Sequence, residues 1–278
     1  MPSVDENTGH WAAYDWKAGG DEWSEVWGGA AFEWWGALFP RLHGLLPAGT
    51  VLEIAPGYGR WTQFLAPMSR ALVVVDVTEK CIAACRERFA GYRHIEYHVN
   101  DGRSLPPLAD RSIDFAFSFD SLVHVEADVL ESYVAQLAPK LAPDGVGFFH
   151  HSNVGAFADP STGTLSIPND HWRATTVSAA GFEEMCRRAG LVCIAQELVN
   201  WGGPHLTDCL SVFTPQGSSR AGLRLRSSNP EFMAEAAALK RLSKTWGPLD
   251  SGEGRGLPAR PVAPAGWVAR AKRSLGLR

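Results

Sequence analysis

Val51-Leu52-Glu53-Ile54-Ala55-Pro56-Gly57-Tyr58-Gly59-Arg60-Trp61-Thr62 decides how this chain is read. Its first four residues have the apolar, partly β-branched character of a buried strand. The Gly-x-Gly that follows relaxes the backbone and lets a bound molecule approach the main chain closely. A dinucleotide fingerprint would place a third glycine where Thr62 stands, so NAD is not expected. Glu53 ends the strand, four residues before Gly57. A carboxylate there can attract an ammonium or a sulfonium.

Outward from this loop, apolar runs alternate with helical segments. Residues 71–76, 94–99, 113–119 and 146–150 read as further strands, and 60–68, 79–89 and 130–141 as helices. A helix over 179–189 and strands over 191–199 and 208–213 continue the pattern, the last running antiparallel. This alternation predicts an α/β fold, a mostly parallel sheet with helices on both faces. Ligands of such sheets bind at the carboxyl ends of the strands. Asp76 ends the second strand and can accept hydrogen bonds from ribose hydroxyls; Asp101 and Gly102 follow the third, where an Asp can hold an adenine amino group.

The ordered set Glu53, Gly57-x-Gly59, Asp76, Asp101-Gly102 and Phe119-Asp120 resembles the successive motifs of class I S-adenosylmethionine methyltransferases, over residues 49–150. The resemblance implies a Rossmann-like, seven-stranded sheet and S-adenosylmethionine as cofactor, with S-adenosylhomocysteine as product. It implies that Gly57 and Gly59 line the methionine portion, Asp76 the ribose and Asp101 the adenine, with Val77, Gly102 and Phe119 beside them.

A hydroxyl acceptor loses its proton as it attacks, so a base or a metal is expected near the same rim. His124 is the first candidate base, because imidazole titrates near neutral pH. His151 is the second, and Asp120 would orient the acceptor. Asp120, His151 and Asp208, helped by Asn153, form an oxygen-rich set that could hold Mg²⁺. Structural roles compete with each: a helix residue beneath the cofactor for His124, a helix N-cap for Asp120.

A narrower resemblance covers roughly residues 10–215. Gly20-Asp21-Glu22-Trp23-Ser24, Phe149-His150-His151-Ser152-Asn153, His171-Trp172-Arg173 and Asp208-Cys209-Leu210-Ser211 are similar to actinobacterial sugar O-methyltransferases, of the mycobacterial methylmannose-polysaccharide 1-O-methyltransferase type. It implies a sugar or glycoside as acceptor. O- or N-methylation of a natural product or modified peptide is the alternative, and a cofactor-binding protein without catalysis the alternative of another class.

The flanks are read separately. Residues 1–48 carry Trp11, Trp16, Trp23, Trp27, Trp34 and Trp35 and predict a lid, with a helix over 31–46. Residues 49–214 form the methyltransferase domain. After Thr214 the sheet pattern stops; residues 215–278 predict one helix near 230–246, a flexible Pro/Gly-rich stretch over 247–266 and a basic amphipathic end over 267–277. This tail holds 12 Lys/Arg against 4 Asp/Glu, while the whole chain is at −4, so residues 1–214 carry −12. An acidic body argues against a nucleic-acid partner. No apolar run reaches about 18 residues, so no membrane-spanning helix is expected, and the polar start does not read as a secretory signal. The expected location is cytoplasmic, and the five cysteines read as small buried residues of a reducing compartment. A homodimer remains open.

Overall fold

The computed structural model describes residues 3–246. The stretches expected at 247–266 and 267–277 lie outside the described residues. In chain order the elements are α1 (Val4–Ala13), α2 (Ala30–Glu33), α3 (Phe39–Leu42), β1 (Ala48–Ile54), α4 (Thr62–Leu65), β2 (Ser69–Asp76), α5 (Glu79–Arg88), β3 (Ile95–Val99), β4 (Ile113–Ser118), α6 (Ala127–Lys140), β5 (Leu141–Ser152), α7 (Ala179–Arg188), β6 (Leu191–Val199), β7 (Asp208–Pro215), β8 (Leu225–Asn229) and α8 (Phe232–Trp246).

The strands form one sheet in the order β3-β2-β1-β4-β5-β7-β6-β8. β1 to β5 run parallel, and β7 is antiparallel to both β5 and β6. Helices cover both faces. On one, Trp34, Phe64, Phe117, Phe148 and Phe232 form a core; on the other, Leu130, Phe149, Phe182 and Phe213 form a second. Phe148 and Phe149 are neighbours assigned to opposite cores, as the two-residue period of a strand requires. Each such buried aromatic or Leu side chain is worth about 1.5–3 kcal/mol of transfer free energy.

Three sequence expectations are corrected. The sheet has eight strands, not seven, and does not stop at Thr214, because β8 pairs parallel with β6. β8 is the polar edge stretch Leu225-Arg226-Ser227-Ser228-Asn229, with no apolar alternation to betray it. α8 is not an appendage either: Phe232 is fully buried against Trp27, with ring centroids 5.0 Å apart. The helix expected over 31–46 ends at Leu42 and contains a π turn, Trp34–Leu38, between α2 and α3. Trp34 there stacks on Phe64 at 5.0 Å, so this part of the expected lid belongs to the core. No helix among the described residues is long and apolar enough to cross a membrane.

Candidate active site

The carboxyl ends of β1, β2 and β4 open into a cavity of about 740 Å³, within the range of small-molecule sites. Ala55, Pro56, Gly57, Asp76, Val77 and Phe119 line one end. Ala55 has φ 58° and Gly57 φ 57°, so the chain turns sharply away from β1 and bares its backbone. Ser121 Oγ donates to Ala55 O at 2.9 Å and ties the turn after β4 to this loop. Asp76 Oδ1 accepts from the Thr78 N–H and hydroxyl, and Oδ2 accepts from Gly57 N–H at 3.3 Å. Burial, partly offset by those bonds from Thr78 and Gly57, raises its carboxyl to about 6.

Other residues expected around the cofactor sit differently. Gly59, with φ 88°, does not line the cavity; a Cβ there would meet the Phe89 ring at 2.3 Å, so it serves the packing of α5. Glu53 lies beneath the loop, buried, with Oε2 accepting from Thr62 Oγ1 at 2.6 Å and Oε1 without a partner. Burial raises its carboxyl to about 8, the Thr62 bond opposing. Asp101 is exposed and outside the cavity lining; its Oδ1 accepts from Arg103 N–H and from the Ser104 N–H and hydroxyl and so shapes its own loop. Gly102 packs against Val4 of α1.

The other end of the cavity is a buried charge network. Asp120 has φ 57°, a left-handed conformation uncommon outside glycine though aspartate enters it more readily than most residues. Its Oδ2 accepts from Arg60 Nη2 at 2.9 Å, and Oδ1 lies 3.8 Å from Arg173 Nη2. Burial alone would raise the Asp120 carboxyl, but Arg60 and then Arg173 hold it below its ordinary value. Arg173 also donates to Asp208, at 2.8 Å from Nη2. The Asp208 carboxyl is driven well down: burial opposes, and Arg173 and His150 outweigh it. The guanidiniums sit over indole rings, Arg60 over Trp61 at 4.6 Å and Arg173 over Trp201 at 5.2 Å.

The histidines divide by strand geometry. His150 faces the network: its Nδ1 accepts from Asp120 N–H at 3.1 Å, and Nε2 bonds Asp208 Oδ2 at 2.9 Å. His151, one residue on, points to the opposite face. Its Nδ1–H donates to Ser152 O, its Nε2 accepts from Ser211 Oγ, both at 2.8 Å, and its ring stacks on Phe182 at 4.3 Å. His151 is fully buried there, which removes it as base and as metal ligand. Asp120 and Asp208 are held by guanidiniums, so the expected Mg²⁺ set of Asp120, His151 and Asp208 does not converge. No group of three such ligands occurs among the described residues.

His124 does line the cavity. Its Nδ1 contacts Trp172 O at 2.9 Å; a carbonyl only accepts, so Nδ1 carries the proton and Nε2 keeps its lone pair. Burial, with Arg173 nearby, lowers its imidazole to about 4, well under the near-neutral value expected from sequence. One feature was not legible beforehand. Arg60 pairs with Asp120 across 60 residues of chain. The N-terminal segment roofs the cavity: Trp16 stacks on Tyr58 at 4.8 Å, and Asn7 Nδ2 donates to His124 O at 3.0 Å. A Cβ on Gly57 would meet the Trp16 ring at 2.8 Å. Trp11 and Trp172 flank the His124 ring at 5.7 and 5.6 Å.

Residues 51–145 match the methyltransferase domain family. Nodulation protein S of Sinorhizobium fredii is 30% identical over 100 residues, 36% of this chain. The chain spans 45% of the length of that curated relative. The CcbJ methyltransferase of Streptomyces caelestis superposes with a TM-score of 0.52 at 17% identity, over 73% of this chain and all of that one. The PH0226 protein of Pyrococcus horikoshii OT3 gives 0.50 at 22% identity, over 64% of this chain and 87% of that one. These two likenesses establish the fold. Residues 51–145, which the methyltransferase domain family matches, are thus set in an eight-stranded Rossmann-like sheet.

Proposed function

We propose that this protein transfers the methyl group of S-adenosylmethionine to a hydroxyl of a sugar or glycoside. The carrying observation is that one cavity runs from Gly57 and Asp76 to Asp120 and His124, so cofactor and acceptor can meet in it. The residues present fit the cofactor. Gly57 bares backbone, Asp76 offers acceptors to ribose hydroxyls, and Val77 and Phe119 give apolar walls. The cofactor supplies a methyl group already activated by its sulfonium. At the acceptor end Trp23, Trp172 and Trp201 present flat apolar surfaces that suit the apolar faces of pyranose rings. Asp120, ionised and fixed, accepts a hydrogen bond from an acceptor hydroxyl and orients it. His124 Nε2 takes the hydroxyl proton as the oxygen is alkylated.

Incubation with methyl-labelled S-adenosylmethionine and a panel of monosaccharides, methylated glycosides, amino sugars and peptides tests this. Label on a sugar oxygen supports the reading. Label only on nitrogen replaces it with amine methylation, which one observation favours: His124 and Asp120 are both weak bases, and an amine needs little base help. Cofactor binding without transfer to any acceptor favours a binding protein.

A further inference from the structure

We propose that His150 is a positioning residue that locks the strained main chain of Asp120 and so aims its carboxylate between Arg60 and Arg173. This rests on the reading above in one respect, that Asp120 orients the acceptor.

Asp120 holds a left-handed conformation, which an aspartate enters more readily than most residues but still at a cost that its contacts must offset. The main-chain contact that does so is its N–H, which donates to His150 Nδ1. An N–H can only donate, so Nδ1 must be unprotonated and the imidazole proton sits on Nε2. From there it is given to Asp208 Oδ2, and Arg173 fixes Asp208 in turn. The ring cannot easily turn, because Phe119 packs at 4.5 Å and Trp201 at 5.2 Å, and His150 is fully buried. The chain Asp208–His150–Asp120 thereby selects one tautomer of one histidine, and that tautomer selects the backbone conformation of Asp120. Protonating Nδ1 would set two N–H groups face to face and break the lock. His151 cannot substitute, since the strand sends it to the other face.

Two variants separate this role from simple core filling. His150→Asn keeps a carbonyl oxygen close to where Nδ1 stood and so keeps an acceptor for Asp120 N–H. His150→Gln reaches toward the Nε2 position and Asp208 but leaves that N–H without a partner. The readouts are the ring ¹⁵N shifts of His150, amide exchange at Asp120 and the affinity for S-adenosylhomocysteine. In the unmodified protein Nδ1 should show the shift of a lone-pair nitrogen. The Asp120 amide should stay protected in His150→Asn and exchange about 100-fold faster in His150→Gln. S-adenosylhomocysteine affinity should stay within about twofold in both, because the ring does not line the cofactor end of the cavity. Equal protection in the two variants, or a protonated Nδ1 at pH 7, overturns the proposal. Should His150→Gln fail to fold, the ring shifts and the Asn variant still decide it. If Asp120→Asn methylates the panel acceptor at the unmodified rate, the acceptor reading of Asp120 fails while the exchange result stands.

Discussion

Arg60 Nη2 lies 2.9 Å from Asp120 Oδ2, with both side chains almost wholly removed from solvent. The first residue after the Gly-x-Gly loop is thereby joined to the turn after β4, and the end of the cavity proposed for the cofactor to the end proposed for the acceptor. Removing one partner of a buried ion pair leaves an uncompensated charge. Arg60→Met should therefore destabilise the fold by about 3 kcal/mol in urea unfolding. A loss under about 1 kcal/mol would mean that Arg173, 3.8 Å from the other oxygen, already satisfies Asp120.

Glu33 is fully buried, and burial lifts its carboxyl to about 8 against the pull of Arg60 and of the nearby Ser24 hydroxyl. The folded value lies above the unfolded one. Its contribution to stability is then complete below the unfolded value of about 4.3 and is lost as pH rises through about 8. The unmodified protein should lose stability between pH 6 and 8 at up to about 1 kcal/mol per unit more than Glu33→Gln does. Parallel curves for the two proteins in that window would show that Glu33 is already ionised.

With Asp76 at about 6 and set against the ribose as proposed, cofactor affinity should depend on pH. On the proposed placement, ribose hydroxyls would donate to the ionised carboxylate, so binding would favour loss of its proton and affinity should fall as pH drops below about 6. Calorimetry should find S-adenosylhomocysteine bound about tenfold more weakly at pH 5 than at pH 7.5. Asp76→Asn should bind weakly at both, with a flat profile. A flat profile in the unmodified protein places the ribose elsewhere.

His124 at about 4 is neutral throughout the physiological range. Turnover should be level from pH 6 to 9 and decline only as pH approaches 4. His124→Ala should lower turnover by about 10²-fold, the lower end for general bases, since so weak a base has little driving force. EDTA should leave turnover unchanged, because guanidiniums already occupy the carboxylates a cation would need. Loss of activity with EDTA, restored by Mg²⁺, would contradict that account.

The sequence by itself determined the sheet as far as β7 and the Gly-x-Gly turn after β1. Each of those elements announces itself locally: β-branched runs for buried strands, Gly57 for a left-handed turn, and Asp76 at a strand end. β8 was invisible because an edge strand facing solvent needs no apolar pattern. The π turn at Trp34–Leu38 was invisible because helix periodicity does not report a single extra residue in a turn. His150 and His151 were equivalent in sequence, and only the pleat of β5 decided which one meets Asp120 and which one stacks on Phe182. The value of His124, the pairing of Asp208 with Arg173 and the roof formed by Trp16 depend on burial and on residues far apart in the chain. Such properties exist only once the chain is folded, because desolvation and charge pairing are set by what surrounds a group, not by what precedes it.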